Sequence, residues 1–262
     1  MTEILFPTLA IGALGLAFGA ILAVSSIIFK VDKDERIEKI EGILPGANCG
    51  GCGYAGCAQF AKAIVEEGAP INKCNLMTEG IMREICDIMG VEETEIIKKY
   101  AVVKCKGDCN TAKDKYELFG VDDCVTAFNL GGGPKKCEFG CMGLGSCVKV
   151  CSQNAITIEN GVAKIDPEKC GGCGECKEVC PKNVIDITLQ KQKVFVKCNS
   201  TDKGVVVKDN CQAGCIGCMI CVKNCEHDAI KVENFLAKID YEKCVNCGKC
   251  AEVCPKKVIE II

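Results

Sequence analysis

The sequence predicts an α+β chain in which a single transmembrane N-terminal helix leads into a small helical metal-binding domain and then two tandem, loop-rich cluster modules. Three observations carry this. The run Cys170-Gly-Gly-Cys173-Gly-Glu-Cys176-Lys-Glu-Val-Cys180-Pro181 is answered by Cys244-Val-Asn-Cys247-Gly-Lys-Cys250-Ala-Glu-Val-Cys254-Pro255. Residues Cys124 to Thr188 align without gaps on Cys198 to Ile262, at an offset of 74. Ile4 to Phe29 contains no charged residue.

Both cysteine runs read C-x2-C-x2-C-x3-C-P, an iron–sulfur ligand pattern whose fourth cysteine serves the other cluster of a pair. Three closely spaced thiolates wrap three corners of a cube, and the fourth corner must come from elsewhere. Proline then turns the chain away and removes an N–H that would need a partner. Structural zinc takes two C-x2-C pairs a dozen or more residues apart, a plan these runs do not follow. Disulfide scaffolds belong to short secreted chains, whereas this one has 262 residues. Its 26 cysteines far exceed ordinary usage, while Trp is absent and 9 Phe with 4 Tyr leave the aromatic core thin. Cluster binding would then supply folding energy. A net charge of −3 makes no case for nucleic acid. The one histidine, His227, excludes a Rieske centre, which needs two. It follows Cys225 by two residues and reads as an ordinary loop residue.

About 20 apolar residues span a bilayer, so residues 1–30 form the expected anchor. Lys30, Lys33 and Arg36 follow it and place the bulk of the chain on the cytoplasmic side of the cell (inner) membrane, where thiols stay reduced. Residues 31–90 form the helical domain, entered through a charged helical linker from Asp32 to Gly42. Cys49, Cys52, Cys57 and Cys74 make one four-iron site there, around a helix from Ala58 to Glu67 that ends at Gly68. Ile81 to Tyr100 has helical spacing at Ile81, Ile85, Ile88, Met89 and Ile96, with Cys86 packed inside it as a small hydrophobe.

Residues 91–136 are a cysteine-rich connecting segment holding Cys105, Cys109 and Cys124. Lysines crowd it (Lys104, Lys106, Lys113, Lys115, Lys135 and Lys136) and, with Lys149 beyond it, would steer an acidic donor or form a solvated face. Gly131-Gly-Gly-Pro134 is a turn that lacks the Gly-Lys-Ser/Thr of a phosphate loop. No nicotinamide or flavin site is found.

Residues 137–190 and 191–262 are two ferredoxin-like modules. Their β-branched runs, Ala155-Ile-Thr-Ile-Glu-Asn and Ala229-Ile-Lys-Val-Glu-Asn, should pair as small strands between cluster loops. The second module has two complete sites: Cys215, Cys218, Cys221 and Cys254, then Cys225, Cys244, Cys247 and Cys250. The first has one complete site, Cys151, Cys170, Cys173 and Cys176. Its other site keeps Cys141, Cys147 and Cys180, because Leu144 stands where the second module has Cys218. Cys137 is preferred as the missing ligand. The alternatives are a three-iron cluster, no cluster, or a separate site of Cys105, Cys109, Cys124 and Cys137. Five 4Fe–4S clusters are expected, or six with that separate site. Cys198 and Cys211 receive no role. No acid, base or nucleophile is needed, so no catalytic residue is expected.

The order of these parts, with the Asn48-Cys-Gly-Gly-Cys-Gly-Tyr-Ala-Gly-Cys57 block and Cys74, resembles the B subunit of Rnf-type complexes, membrane-bound ferredoxin:NAD oxidoreductases that translocate Na+ or H+. The resemblance implies an electron-transfer component of a translocase, fed by soluble ferredoxin. Its partners would be the bilayer and the NADH-binding and flavin-bearing subunits of the complex. A membrane-tethered polyferredoxin serving a hydrogenase or dehydrogenase is the alternative.

Overall fold

The computed structural model describes residues 2–28, 34–96 and 98–262, with side chains of the first stretch described from residue 11 to 25. Helix α1 (Thr2–Ile28) is 27 residues long. Ile11, Leu14, Leu16, Phe18, Ile21 and Leu22 all stand exposed on it. No helix among the described residues is long and apolar enough to cross a membrane, so the anchor expected over residues 1–30 is not a described feature. Phe29, Lys30 and Lys33 lie outside the described residues.

The helical domain follows. Helix α2 (Glu35–Ile43) starts at Asp34, whose carboxylate accepts the Arg36 N–H, a favoured cap. Helix α3 (Cys57–Glu66) starts where Asn48 Oδ1 accepts the Cys57 N–H at 2.8 Å. After a 3-10 turn (Ile71–Lys73), Thr78 opens α4 (Glu79–Met89) by accepting the Ile81 N–H. Ile40, Phe60, Ile64, Met82 and Ile85 form the core between these helices, and Cys86 is buried among them as expected. The helix expected from Ile81 to Tyr100 is shorter. Gly90, at φ 66, caps α4 in the left-handed region and ends it at Met89. Tyr100 instead lies in strand β1 (Lys99–Val103).

Two modules built alike complete the chain. The first contains α5 (Cys124–Gly131), α6 (Ser146–Lys149), β2 (Ile156–Glu159), β3 (Val162–Ile165), α7 (Glu175–Glu178) and β4 (Ile185–Leu189). The second contains β5 (Val194–Val196), α8 (Gly204–Asn210), α9 (Ile220–Lys223), β6 (Ile230–Glu233), β7 (Leu236–Ile239), α10 (Lys249–Glu252) and β8 (Ile259–Ile261). Antiparallel pairs β2–β3 and β6–β7 are the expected small strands, and β1–β4 and β5–β8 complete the sheets. Backbone geometry repeats with the sequence. Asn154 (φ 50) matches Asp228 (φ 49), and Asn183 (φ 50) matches Lys257 (φ 48), all in the left-handed region that Asn and Asp tolerate best.

Register corrects the alignment upstream of Cys137. Val103 faces Ile185 as Val196 faces Ile259. The next residue donates alike in both modules: Lys104 N–H to Val184 O and Lys197 N–H to Val258 O. Val103-Lys104-Cys105 therefore corresponds to Val196-Lys197-Cys198, so Cys105, not Cys124, is the structural counterpart of Cys198. The first module has a longer connection between this strand and its cluster loop, which a gapless alignment passes over.

Candidate metal centres

The expected ligand sets converge from segments far apart in sequence. Burial, and then the neighbouring Cys52, Cys49 and Cys57, push the Cys74 thiol up. Burial and the neighbours Cys170, Cys173 and Cys151 push Cys176 to about 12. In the second module, burial with Cys215, Cys218 and Cys254 pushes Cys221 to about 11. Cys250 is raised by burial and by Cys244 and Cys247, and Cys225 packs on the same core. Long-range members Cys74, Cys151 and Cys254 thus stand with the local runs that lack a fourth thiol.

The incomplete site of the first module differs from its expectation. Burial and then Cys141, Cys124 and Cys180 push the Cys147 thiol to about 12. Cys124, at the start of α5, therefore stands near Cys147. A short network holds it there. Ser146 Oγ accepts the Cys124 N–H at 2.7 Å and donates to Asp123 Oδ1 at 2.6 Å. Asp123 also accepts from Thr126 N–H, and these donors hold its carboxyl at about 2. Cys137, the preferred ligand from sequence, stands instead beside Cys105 and Cys211. Cys109 is exposed. Of the separate set Cys105, Cys109, Cys124 and Cys137, Cys105 and Cys137 stand together, while Cys124 neighbours Cys147.

The donor chemistry fits clusters. All 26 cysteines are free thiols. One tetrahedral zinc, with metal–sulfur bonds of about 2.3 Å, needs its thiolates nearly in contact. A cage of four irons spreads its four thiolates more widely than one zinc does. Buried, mutually repelling thiols resist ionisation, and a bound cation reverses that balance. Backbone N–H groups already point at sulfur, from Ala101 to Cys170 Sγ and from Ala155 to Cys151 Sγ, both at 3.4 Å. Such contacts help set cluster potential. The helical domain meets the first module where a Cβ on Gly51 would lie 3.3 Å from Cys173 Cα.

The crowded lysines are largely engaged within the chain. Lys104 pairs with Asp186, Lys106 with Glu260, Lys113 and Lys136 with Asp209, and Lys149 with Asp122. Buried Lys135 donates to the Gly107 and Gly161 carbonyls. These pairs offset part of the positive charge of this region.

Family models agree with this geometry. An Fe-S cluster family model matches residues 44–75, and a 4Fe-4S dicluster domain model matches 136–184 and 214–258. The chain is 44% identical over 263 residues to the B subunit of the ion-translocating oxidoreductase complex of Methanosarcina acetivorans, covering 100% of both chains. It is 44% identical over 260 residues to the B subunit of the Na(+)-translocating ferredoxin:NAD(+) oxidoreductase complex of Acetobacterium woodii, covering 99% of this chain and 78% of that one. Against the proton-translocating counterpart from Clostridium ljungdahlii it is 39% identical over 266 residues, covering 100% and 94%. A chain with several 4Fe–4S clusters and full-length relatives of this kind belongs to the family of Rnf complex B subunits.

Proposed function

We propose that this chain is the electron-relay subunit of an Rnf-type ferredoxin:NAD oxidoreductase, taking electrons from reduced ferredoxin and passing them to NADH-binding and flavin-bearing partners. The observation that carries the reading is the adjacency of ligand sets. The Cys49 loop meets Cys173, where a Cβ on Gly51 would lie 3.3 Å from Cys173 Cα, and Cys176 shares a core with Cys147, so the helical domain and both sites of the first module stand in series. The ligands assigned are Cys49, Cys52, Cys57 and Cys74; Cys151, Cys170, Cys173 and Cys176; and Cys124, Cys141, Cys147 and Cys180. Those of the second module are Cys215, Cys218, Cys221 and Cys254, then Cys225, Cys244, Cys247 and Cys250. When bound, four-iron clusters supply low-potential one-electron chemistry. The chain's own residues hold them close together and point N–H groups at sulfur.

The membrane contact is assigned to α1. Its exposed apolar side chains have no partner in the described core, and the cluster domains would lie on the cytoplasmic side. The test is anaerobic stopped-flow mixing of the purified chain with reduced ferredoxin. Bleaching of the cluster absorbance on mixing is expected, and its absence would refute ferredoxin as the donor. Co-purification with a hydrogenase, without flavin-bearing subunits, would refute the partner assignment.

A further inference from the structure

Four cysteines remain unused between the two modules, and their arrangement carries a site of its own. Cys105, Cys137, Cys198 and Cys211 all line one pocket. Cys211 Sγ and Cys105 Sγ lie 3.1 and 3.8 Å from the point a Gly107 Cβ would occupy. Cys137 Sγ and Cys105 Sγ lie 3.6 and 3.8 Å from the corresponding point on Gly140. Cys198 is buried beside Cys137.

The internal duplication explains why these four meet. Cys105 and Cys198 are counterparts by strand register, and Cys137 and Cys211 are counterparts at the offset of 74. Each module therefore brings the same pair to the shared face. Equivalent backbone groups attach the pairs to the adjoining sites. Cys141 N–H donates to Cys105 Sγ at 3.3 Å, and Cys215 N–H donates to Cys198 Sγ at 3.4 Å.

Charge at the pocket matches an anionic occupant. Lys135 and Lys197 line it with Lys106, which is paired to Glu260, and the one carboxylate in the lining is that of Asp202. Lys135 is only 6% exposed and is held by carbonyls rather than a carboxylate. A buried ammonium is costly without a compensating negative group, and a four-thiolate cluster supplies one.

We propose that Cys105, Cys137, Cys198 and Cys211 bind a sixth four-iron cluster, bridging the Cys141 site of the first module and the Cys215 site of the second. The inference rests on the relay reading above, and of the 26 cysteines it leaves Cys86 and Cys109 outside the six sites.

Iron and acid-labile sulfide counts on the anaerobically purified full chain test it. The native chain should hold about 24 irons, and Cys211→Ala and Cys105→Ala about 20 each. Because both residues serve one site, the double variant should also hold about 20 rather than about 16. Cys109→Ala should match the native chain. A native count of about 20, unchanged in Cys211→Ala, would overturn the sixth site and leave the relay reading standing. So would one zinc per chain that vanishes in Cys211→Ala. An iron-free native chain would sink the relay reading itself. If the variants fail to fold, the native count alone still decides.

Discussion

Replacing Ser146 by alanine should loosen one cluster and leave the others alone. Ser146 is 3% exposed, and its hydroxyl connects the Cys124 N–H to the Asp123 carboxylate. Alanine removes both bonds and leaves a part-buried N–H without its acceptor, at a cost of about 1–3 kcal/mol. If that cost falls on the position of Cys124, iron at its site becomes roughly 5- to 150-fold easier to extract. The second module is the internal control. Its counterpart of Ser146 is Ile220, and there Cys218 stands in the local loop where the first module has Leu144. An anaerobic challenge with a ferrous chelator should remove about four irons from Ser146→Ala before the rest. Ser146→Thr, which keeps the hydroxyl, should behave nearly as the native chain. Release at the native rate from Ser146→Ala would refute Cys124 as a positioned ligand.

Three further outcomes are expected. Phe60, 1% exposed in the core beneath the Cys57 loop and 5.3 Å from the Tyr54 ring, should cost about 3–5 kcal/mol when cut to alanine. Selective loss of about four irons with a lowered first melting transition would show it. A Gly51→Leu side chain would press on Cys173 Cα, so electron equilibration between the helical domain and the first module should slow while iron content holds; an unchanged rate would refute that route. The cluster-free chain should lose stability as pH rises. Thiols ordinarily near 9.0 are held neutral by burial, with Cys147, Cys176 and Cys198 at about 12. Unfolding lets them ionise at lower pH, so stability present below about 9 is lost between about 9 and about 12. A melting temperature flat over that window, measured on the chelated chain, would contradict the burial of these thiols.

Much of this was legible in the chain because cluster ligation is partly local. Cys170, Cys173 and Cys176 must lie within one loop to wrap one cluster, so their spacing alone announces the site. The duplication was legible for a related reason, since the cluster loops tolerate little change in spacing. The strand pairs β2–β3 and β6–β7 followed from short β-branched runs. The helix expected to reach Tyr100 failed at Gly90, where a left-handed cap outweighs continued apolar spacing.

By itself, then, the sequence determined the cofactor class, the doubled module and the sites whose ligands share a loop. Tertiary structure alone placed Cys124 near Cys147 and Cys137 near Cys105 and Cys211, because those thiols arrive on a long connection with no fixed spacing to the loops they meet. It also decided that Cys105 and Cys198 are equivalent, through strand pairing that a gapless comparison of residues passes over. Ligands close in sequence are constrained by chain geometry, whereas ligands brought by separate segments are constrained only by how those segments pack.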